Sequence, residues 1–178
     1  MSLQNEIRSS EESRADGQMH GAAGKAQFVS FAIGDDQYGV DIMSVREIRG
    51  WSEVTGLPNQ PDYMRGVVNL RGIVVPIIDL RCRFSQGLTE ATALHIVIIV
   101  QIGERNVGLL ADRVLDIVTV SSADIQPVPN IGGGAQTAFL SGLVSMEGAM
   151  IALIDLPHLL SMSPVQTGVN SNGTNSLN

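Results

Sequence analysis

The chain has little of several residue types, and each shortage excludes a class of protein. It contains a single cysteine, Cys82, so no disulfide can form within the chain. Its apolar runs are no longer than a strand, so neither a membrane-spanning segment nor a secretory signal is predicted. A net charge of -7 over 178 residues opposes sequence-independent binding to nucleic acid. We expect a protein of the reducing cytoplasm.

Residues suited to catalysis or metal binding are also scarce. The histidines His20, His95 and His158 have no second ligand at metal-binding spacing, and no phosphate-binding glycine loop is present. We therefore predict no metal, no cofactor and no catalytic residue. One enzymatic alternative stays open, a small β-barrel enzyme that uses Asp79, Asp155 or Cys82 in a pocket.

What the chain does have is short runs of Val, Ile and Leu bounded by Gly, Asn, Asp and Pro, a pattern typical of strands joined by turns. This pattern predicts a mainly β protein. The two ends, residues 1–25 and 162–178, are poor in large apolar side chains and are predicted to be disordered, and the glycines at 132–134 are predicted to form a flexible loop. The predicted strands cover residues 27–33, 37–42, 65–70, 73–79, 95–102, 106–111, 141–146 and 149–154.

An internal repeat organises these strands. Residues 28–48 align with 97–117 at an offset of 69, and residues 64–80 align with 140–156 at an offset of 76. Glycines and aspartates recur at matched positions, whereas Arg71 aligns with Glu147. This reversed charge indicates a function that only one copy has. We expect two small barrels, at about 28–84 and 96–160, with a shared apolar interface, because a barrel of about 60 residues is marginal by itself.

Several recurring residues have structural interpretations. Asp79 and Asp155 each end an apolar strand, so we expect their carboxylates to accept N–H bonds from the following turn. Pro76 cannot donate to a strand ladder, so its strand is expected to be an edge strand or to carry a bulge. The matched glycines are expected at turns, at bulges or where backbones approach closely.

Two apolar stripes also recur. Ile42, Val45 and Ile48 form the first stripe, and its copy offers Leu110, Val114 and Ile117. We expect most of these side chains to lie in the core. The alternative is that the stripes face each other across the two barrels and line a groove for a partner helix.

Four segments resemble motifs of a known family. They are Tyr-Gly-Val-Asp-Ile at 38–42, Val-Arg-Glu-Ile-Arg-Gly at 45–50, Arg-Gly-Val-Val-Asn-Leu-Arg-Gly at 65–72 and Val-Pro-Ile-Ile-Asp-Leu at 75–80, and they are similar to motifs of the CheW chemotaxis coupling proteins. The resemblance covers about residues 26–161. It implies an all-β fold of two SH3-like five-stranded β-barrel subdomains with short helical segments. It also implies an adaptor without a cofactor rather than an enzyme.

The resemblance implies partners and sites as well. Family members couple the cytoplasmic helical tips of transmembrane chemoreceptors to the regulatory domain of a CheA-type histidine kinase, in cytoplasmic arrays beneath the inner membrane. By carry-over, the receptor-binding residues are Val45, Gly66, Asn69, Arg71, Val114 and Ile117, and the kinase-binding residues are Glu47, Ile48, Val54, Thr55 and Leu57. Outside the array we expect a monomer.

Two alternatives stay open beside this assignment. Arg71 would serve the fold instead if it formed an internal salt bridge, for example to Glu47. The chain would also suit a general helix-binding or peptide-binding module with other signalling partners.

Overall fold

The computed structural model describes residues 24–130 and 137–161. The predictions for residues 1–23, 132–134 and 162–178 lie outside these ranges. Within them the elements are β1 Lys25–Ile33, β2 Asp36–Asp41, β3 Val45–Gly50, β4 Met64–Leu70, β5 Ile73–Asp79, α1 Leu80–Arg83, β6 Ile96–Ile102, β7 Arg105–Ala111, β8 Arg113–Ser121, β9 Leu140–Met146, β10 Ala149–Ile154 and α2 Leu156–Ser161. None of the helices in the described ranges is long and apolar enough to span a bilayer.

All eight predicted strands are present, and their ends differ from the prediction by at most two residues. The strand β1 begins at Lys25, which the sequence had placed in the disordered tail. The strands β3 and β8 were missed, since none of the eight predicted strands covers their residues. The strand β3 follows the 3-10 turn Ile42–Ser44, and β8 precedes the 3-10 turn Ser122–Asp124. The pairing of each strand contains a register shift, so the alternation of apolar and polar residues is interrupted.

The two sheets do not follow the two repeats. Sheet A has the strand order β8-β1-β2-β10-β9, and sheet B has the order β3-β6-β7-β5-β4. The first hairpin of each repeat thus joins the later strands of the other repeat, through parallel pairing of β2 with β10 and of β5 with β7. The expectation of one barrel from 28–84 and another from 96–160 is therefore wrong. A repeat shows which strands are alike, but exchanged pairing satisfies the same backbone hydrogen bonds.

In each sheet the segment that follows one edge strand forms a bridge to the opposite edge strand. In sheet B the chain after β3 returns to β4, where Thr55 and Val67 exchange two backbone hydrogen bonds of 2.9 Å. In sheet A, Gln126 and Leu143 exchange two bonds of 2.8 Å. These bridges leave the edges of each sheet joined, as a small barrel requires. The predicted fold class, mainly β with two five-stranded subdomains and short helices, is confirmed.

Buried apolar side chains form three clusters. One lies within sheet A around Phe28 and Leu153, and a second lies within sheet B around Ile77 and Ile99. The largest cluster contains residues of both sheets, including Phe31, which shows that the sheets bury apolar surface against each other. The shared apolar interface expected from the repeat is therefore confirmed.

The two matched aspartates have the structural role that the sequence indicated. Asp79 is fully buried and accepts the Cys82 N–H at 3.2 Å and the Thr89 N–H at 2.8 Å. Asp155 accepts the His158 N–H at 3.0 Å. Both carboxylates thus cap the short helix that comes after their strand, α1 or α2.

Pro76 does not mark an edge strand, because β5 lies between β7 and β4. Its partner on β4 is Val67, whose backbone N–H and C=O are used by Thr55 instead. On the other side, the pairing of β5 with β7 begins only at Ile77. A proline is therefore tolerated inside this sheet, and the bulge lies on the neighbouring strand, between Met64 and Gly66.

Candidate partner-binding site

Two equivalent hairpin tips carry the position at which the repeats differ in charge. In the β4–β5 hairpin, Arg71 and Gly72 have φ angles of 52° and 86°. In the β9–β10 hairpin, Glu147 and Gly148 have φ angles of 50° and 81°. Positive φ at both central residues defines the tight turn that matches the twist of paired strands. The side-chain oxygen of Asn69 accepts the Gly72 N–H at 2.8 Å, so this predicted receptor-binding residue also stabilises the turn.

Arg71 forms an ion pair with Glu47 that spans sheet B from the hairpin tip to β3. The guanidinium Nη2 lies 2.8 Å from the Glu47 Oε2. The Arg71 side chain is 82% exposed and that of Glu47 is 27% exposed, so solvent screens the pair and its contribution to stability is small, below about 1 kcal/mol. The internal salt bridge that stayed open in the sequence is thus present. It joins one predicted receptor-binding residue to one predicted kinase-binding residue.

A second contact also joins the two predicted sets. Gly66 is buried with a φ of 139°, and a Cβ at this position would collide with the carbonyl oxygen of Thr55. Thr55 is the residue that closes sheet B through its bridge to Val67. Gly66 therefore permits the closing bridge, which explains why the repeat keeps a glycine at Gly142, next to the corresponding bridge in sheet A.

The two apolar stripes divide between core and surface. Ile42, Val45 and Val114 pack against the cluster between the sheets, and Leu110 lies inside sheet B. In contrast, the matched residues Ile48 and Ile117 are 42% and 52% exposed. The expectation that most of the stripes are core is confirmed. The two residues that remain accessible lie on β3 and β8, which belong to different sheets.

The remaining predicted kinase-binding residues lie after β3 in the chain. Val54 is half-buried against the apolar cluster of sheet B, whereas Leu57 is 46% exposed. Two further exposed apolar residues, Ile73 and Val74 at 55% and 63%, directly follow the Arg71–Gly72 turn. Sheet B therefore presents exposed apolar side chains close in the chain to both residues of the ion pair, a composition suited to protein recognition.

The groups named for an enzymatic alternative have structural partners. The Asp79 carboxylate accepts hydrogen bonds from Cys82 and from the Thr89 hydroxyl, and the Asp155 carboxylate lies 2.9 Å from the His158 Nδ1. Burial and the neighbouring Asp79 carboxylate raise the pKa of the Cys82 thiol, which keeps it protonated at neutral pH. Cys82 is therefore not an activated thiol, and Asp79 and Asp155 are each engaged in separate local contacts.

Sequence reasoning missed a charged junction between the sheets. The Asp112 Oδ2 accepts the Gly34 N–H and the Arg81 guanidinium, both at 2.7 Å, and its Oδ1 lies 3.7 Å from the His95 Nε2. Burial acts to raise the pKa of Asp112, but these donors outweigh it and hold the pKa below its usual range. Gly34 belongs to the β1–β2 turn of sheet A and Arg81 to α1 after β5 of sheet B, so the carboxylate links the two sheets.

Asp116 was missed as well, although the repeat contained the signal. At the offset of 69, it stands where the first copy has Glu47. The reversed charge at Glu147 therefore faces a position that is acidic in both copies. The alignment of residues 28–48 with 97–117 already pairs these two positions, so a comparison of their charges would have found it.

Comparisons with known proteins agree with this geometry. A family model described as CheW-like domain matches residues 27–163. The chain is 44% identical over 137 residues to "Chemotaxis protein CheW" of Rhizobium meliloti (strain 1021), which covers 77% of this chain and 88% of the relative. It is 40% identical over 135 residues to "Chemotaxis protein CheW" of Klebsiella aerogenes, with coverage of 76% and 81%.

A solved structure supports the same relationship. The crystal structure of the scaffolding protein TtCheW from Thermoanaerobacter tengcongensis is similar with a TM-score of 0.72 and 31% sequence identity. The match covers 78% of this chain and 94% of that chain. The likeness therefore extends over nearly the whole of the other protein.

Proposed function

The chain belongs to the CheW-like domain family, and on that premise we propose that it is a chemotaxis adaptor that couples chemoreceptors to a CheA-type histidine kinase. Its partners would be the cytoplasmic helical tips of transmembrane receptors and the regulatory domain of the kinase. It would work in the cytoplasm, at receptor arrays beneath the inner membrane. It would act by binding alone, without enzymatic activity.

The observation that carries this proposal is the ion pair between Arg71 and Glu47. The first residue belongs to the proposed receptor-binding set and the second to the proposed kinase-binding set. A receptor carboxylate that binds the Arg71 guanidinium competes with Glu47 for it, because both anions use the same planar donor. Receptor binding at the hairpin tip would therefore change the charge that β3 presents to the kinase.

Contact between the two sets gives a physical route for coupling. If receptor binding changes the affinity for the kinase by some factor, kinase binding must change the affinity for the receptor by the same factor. A second contact supports this route. The backbone of Thr55, in the proposed kinase-binding set, lies against Gly66, in the proposed receptor-binding set, where the bridge to Val67 closes sheet B. The remaining proposed receptor residues, Val45, Val114 and Ile117, lie on β3 and β8, where the two sheets adjoin the central cluster.

Charge reversal tests the proposal. We expect Arg71→Glu to abolish binding of a receptor cytoplasmic fragment in calorimetry, while the free energy of unfolding changes by less than about 1 kcal/mol because the pair is exposed. Loss of cooperative unfolding in this variant would show instead that the arginine is required for the fold.

A double variant separates direct binding from internal support. Glu47→Arg combined with Arg71→Glu restores an ion pair of opposite orientation across sheet B. If Arg71 itself contacts the receptor, the double variant stays inactive in receptor binding. Recovery of binding would mean that the arginine acts only by holding the hairpin, and it would contradict the proposed contact.

Coupling requires a ternary measurement. We expect the affinity of the wild-type protein for a kinase regulatory domain to change when the receptor fragment is bound, by the same factor in both directions. Equal affinities with and without receptor would leave a passive tether and would contradict the coupling part of the proposal. Failure to bind either fragment would refute the adaptor assignment as a whole.

A further inference from the structure

Sheet A has an open groove at the position that the Arg71–Glu47 pair spans in sheet B. The groove has a volume of about 650 Å³ and lies between β8 and the β9–β10 hairpin. Its lining includes Asp116 and Ile117 of β8 and Met146 and Glu147 of the hairpin. By the repeat, Asp116 and Glu147 correspond to Glu47 and Arg71. The same place in the fold is therefore bridged in one sheet and open in the other.

The charge of this groove is unbalanced. Both Asp116 and Glu147 are exposed acids, and no Lys, Arg or His is among the described residues that line the groove. One oxygen of Asp116 accepts the N–H of its own neighbour Ile117 at 2.7 Å. Among the described residues, neither carboxylate forms an ion pair. The site thus lacks the guanidinium that balances Glu47 in sheet B.

The walls of the groove suit the apolar part of a long basic side chain. Ile117 is 52% exposed, and Met146 and Ile151 also line the groove. Ser30 stands where sheet B has Ile99, so the side chain at this point is smaller. Its hydroxyl is occupied by the backbone of Asp116, donating to the carbonyl at 2.9 Å and accepting the N–H at 3.1 Å. The charged groups that remain without a counter-ion are the two carboxylates, and the neutral polar side chains of Gln37 and Thr119 complete the lining.

We propose that this groove docks a partner segment that inserts an arginine flanked by apolar side chains. The guanidinium of the partner takes the place on Asp116 that Arg71 takes on Glu47, and its methylene stem lies against Ile117 and Met146. Arginine fits better than lysine, because its planar donors engage carboxylates in pairs. The groove shares Ile117 with the proposed receptor-binding set, whereas its two carboxylates, Asp116 and Glu147, belong to neither the receptor-binding nor the kinase-binding set.

A matched pair of peptides tests the charge requirement. The isotopically labelled full chain is titrated in NMR with the capped peptide Ala-Ile-Arg-Ile-Ala and with its analogue in which citrulline replaces arginine. We expect saturable shifts of the Ser30, Ile117 and Glu147 amides with the arginine peptide, and binding about tenfold weaker with citrulline. Equal affinities, or shifts confined to other residues, would overturn the proposal.

Variants show whether the missing cation is the reason for binding. In Glu147→Arg, the chain supplies its own guanidinium at a turn position whose backbone suits arginine, since Arg71 adopts nearly the same φ. We expect this variant to bind the arginine peptide at least about tenfold more weakly, whereas Glu104→Arg, in the turn between β6 and β7, binds it as the wild type does. Unchanged binding by Glu147→Arg would refute the proposal.

Two further measurements keep the result decisive. If Glu147→Arg fails to fold, Asp116→Asn removes the other carboxylate without adding a positive charge. This variant is also expected to bind the arginine peptide more weakly than the wild type. Peptide-free spectra at increasing protein concentration test a different occupant. Shifts at Ser30, Ile117 and Glu147 without peptide would identify a second copy of the chain as the occupant, and would overturn the assignment to a separate partner.

Discussion

Cutting the chain between its two repeats should produce fragments that fold only together. The cut lies between Gly87 and Leu88, in the loop that joins α1 to β6. Of the eight strand pairings, four join a strand before the cut to one after it, namely β1 with β8, β2 with β10, β3 with β6 and β5 with β7. Each fragment by itself retains only two separate hairpins, and an isolated hairpin is marginal in water.

The central cluster gives the size of the effect. Eight of its seventeen buried residues lie before the cut, and when the fragments separate they lose the apolar neighbours that the other fragment supplies. At about 1.5 kcal/mol for each buried side chain, the loss is about 12 kcal/mol, which is comparable with the whole stability of a domain, about 5 to 15 kcal/mol. Neither fragment should therefore fold by itself.

Mixing the fragments should restore the structure. With an intact stability of about 5 kcal/mol and an effective concentration in the millimolar range, the fragments should bind with a Kd of about 0.2 µM or tighter. Circular dichroism and gel filtration of each fragment, and of the equimolar mixture, measure this. A fragment that unfolds cooperatively by itself would refute the exchanged pairing and would favour one barrel for each repeat.

Three other predictions concern particular contacts. Gly66→Ala places a Cβ against the Thr55 carbonyl and should lower the free energy of unfolding by about 2 to 4 kcal/mol in urea denaturation, whereas Gly56→Ala, with no atom within 4 Å, should change it by less than about 1 kcal/mol. The lowered pKa of Asp112 stabilises the fold above the pKa of an unfolded aspartate, about 3.9, and this stabilisation is lost as the pH falls through the lower folded pKa. Asp112→Asn should therefore cost about 1 to 3 kcal/mol at pH 7 and progressively less below about pH 4 in denaturant titrations, and an equal cost at both pH values would contradict the ion-pair argument. The Arg83 guanidinium lies 4.4 Å from the Tyr63 ring and 4.3 Å from the Phe139 ring, and it donates to the Leu159 carbonyl. Arg83→Met removes these contacts and should lower the free energy of unfolding by about 1 to 3 kcal/mol in thermal unfolding. No change would show that solvent replaces the contacts.

The local prediction succeeded where the pattern was regular. The strands with uninterrupted alternation or continuous apolar runs were placed within two residues, and Asp79 and Asp155 were correctly expected to accept N–H bonds from the turn after their strand. The prediction failed at β3 and β8, because a bulge shifts the register of each pairing and hides the period of two.

The candidate site shows the same division between local and distant information. The resemblance supplied Arg71 and Glu47 as members of different sets, and the residues themselves suggested an ion pair between them. The sequence did not indicate how sheet B closes. The closing bridge places the Thr55 carbonyl against Gly66, which explains why this position requires a glycine. No spacing along the chain specifies a contact that depends on how a sheet curls.

The sequence by itself determined eight of the ten strands and the turns between them, since turns, strand alternation and capping depend on neighbours within a few residues. It also determined that the two copies differ in charge at Arg71 and Glu147. Only the tertiary structure decided which copies of the strands pair, because exchanged and unexchanged pairings make the same backbone bonds and differ only in the burial of side chains between the sheets. The tertiary structure also brings each of these residues to its partner strand, so that the Arg71–Glu47 pair bridges one position and two acids line an open groove at the other.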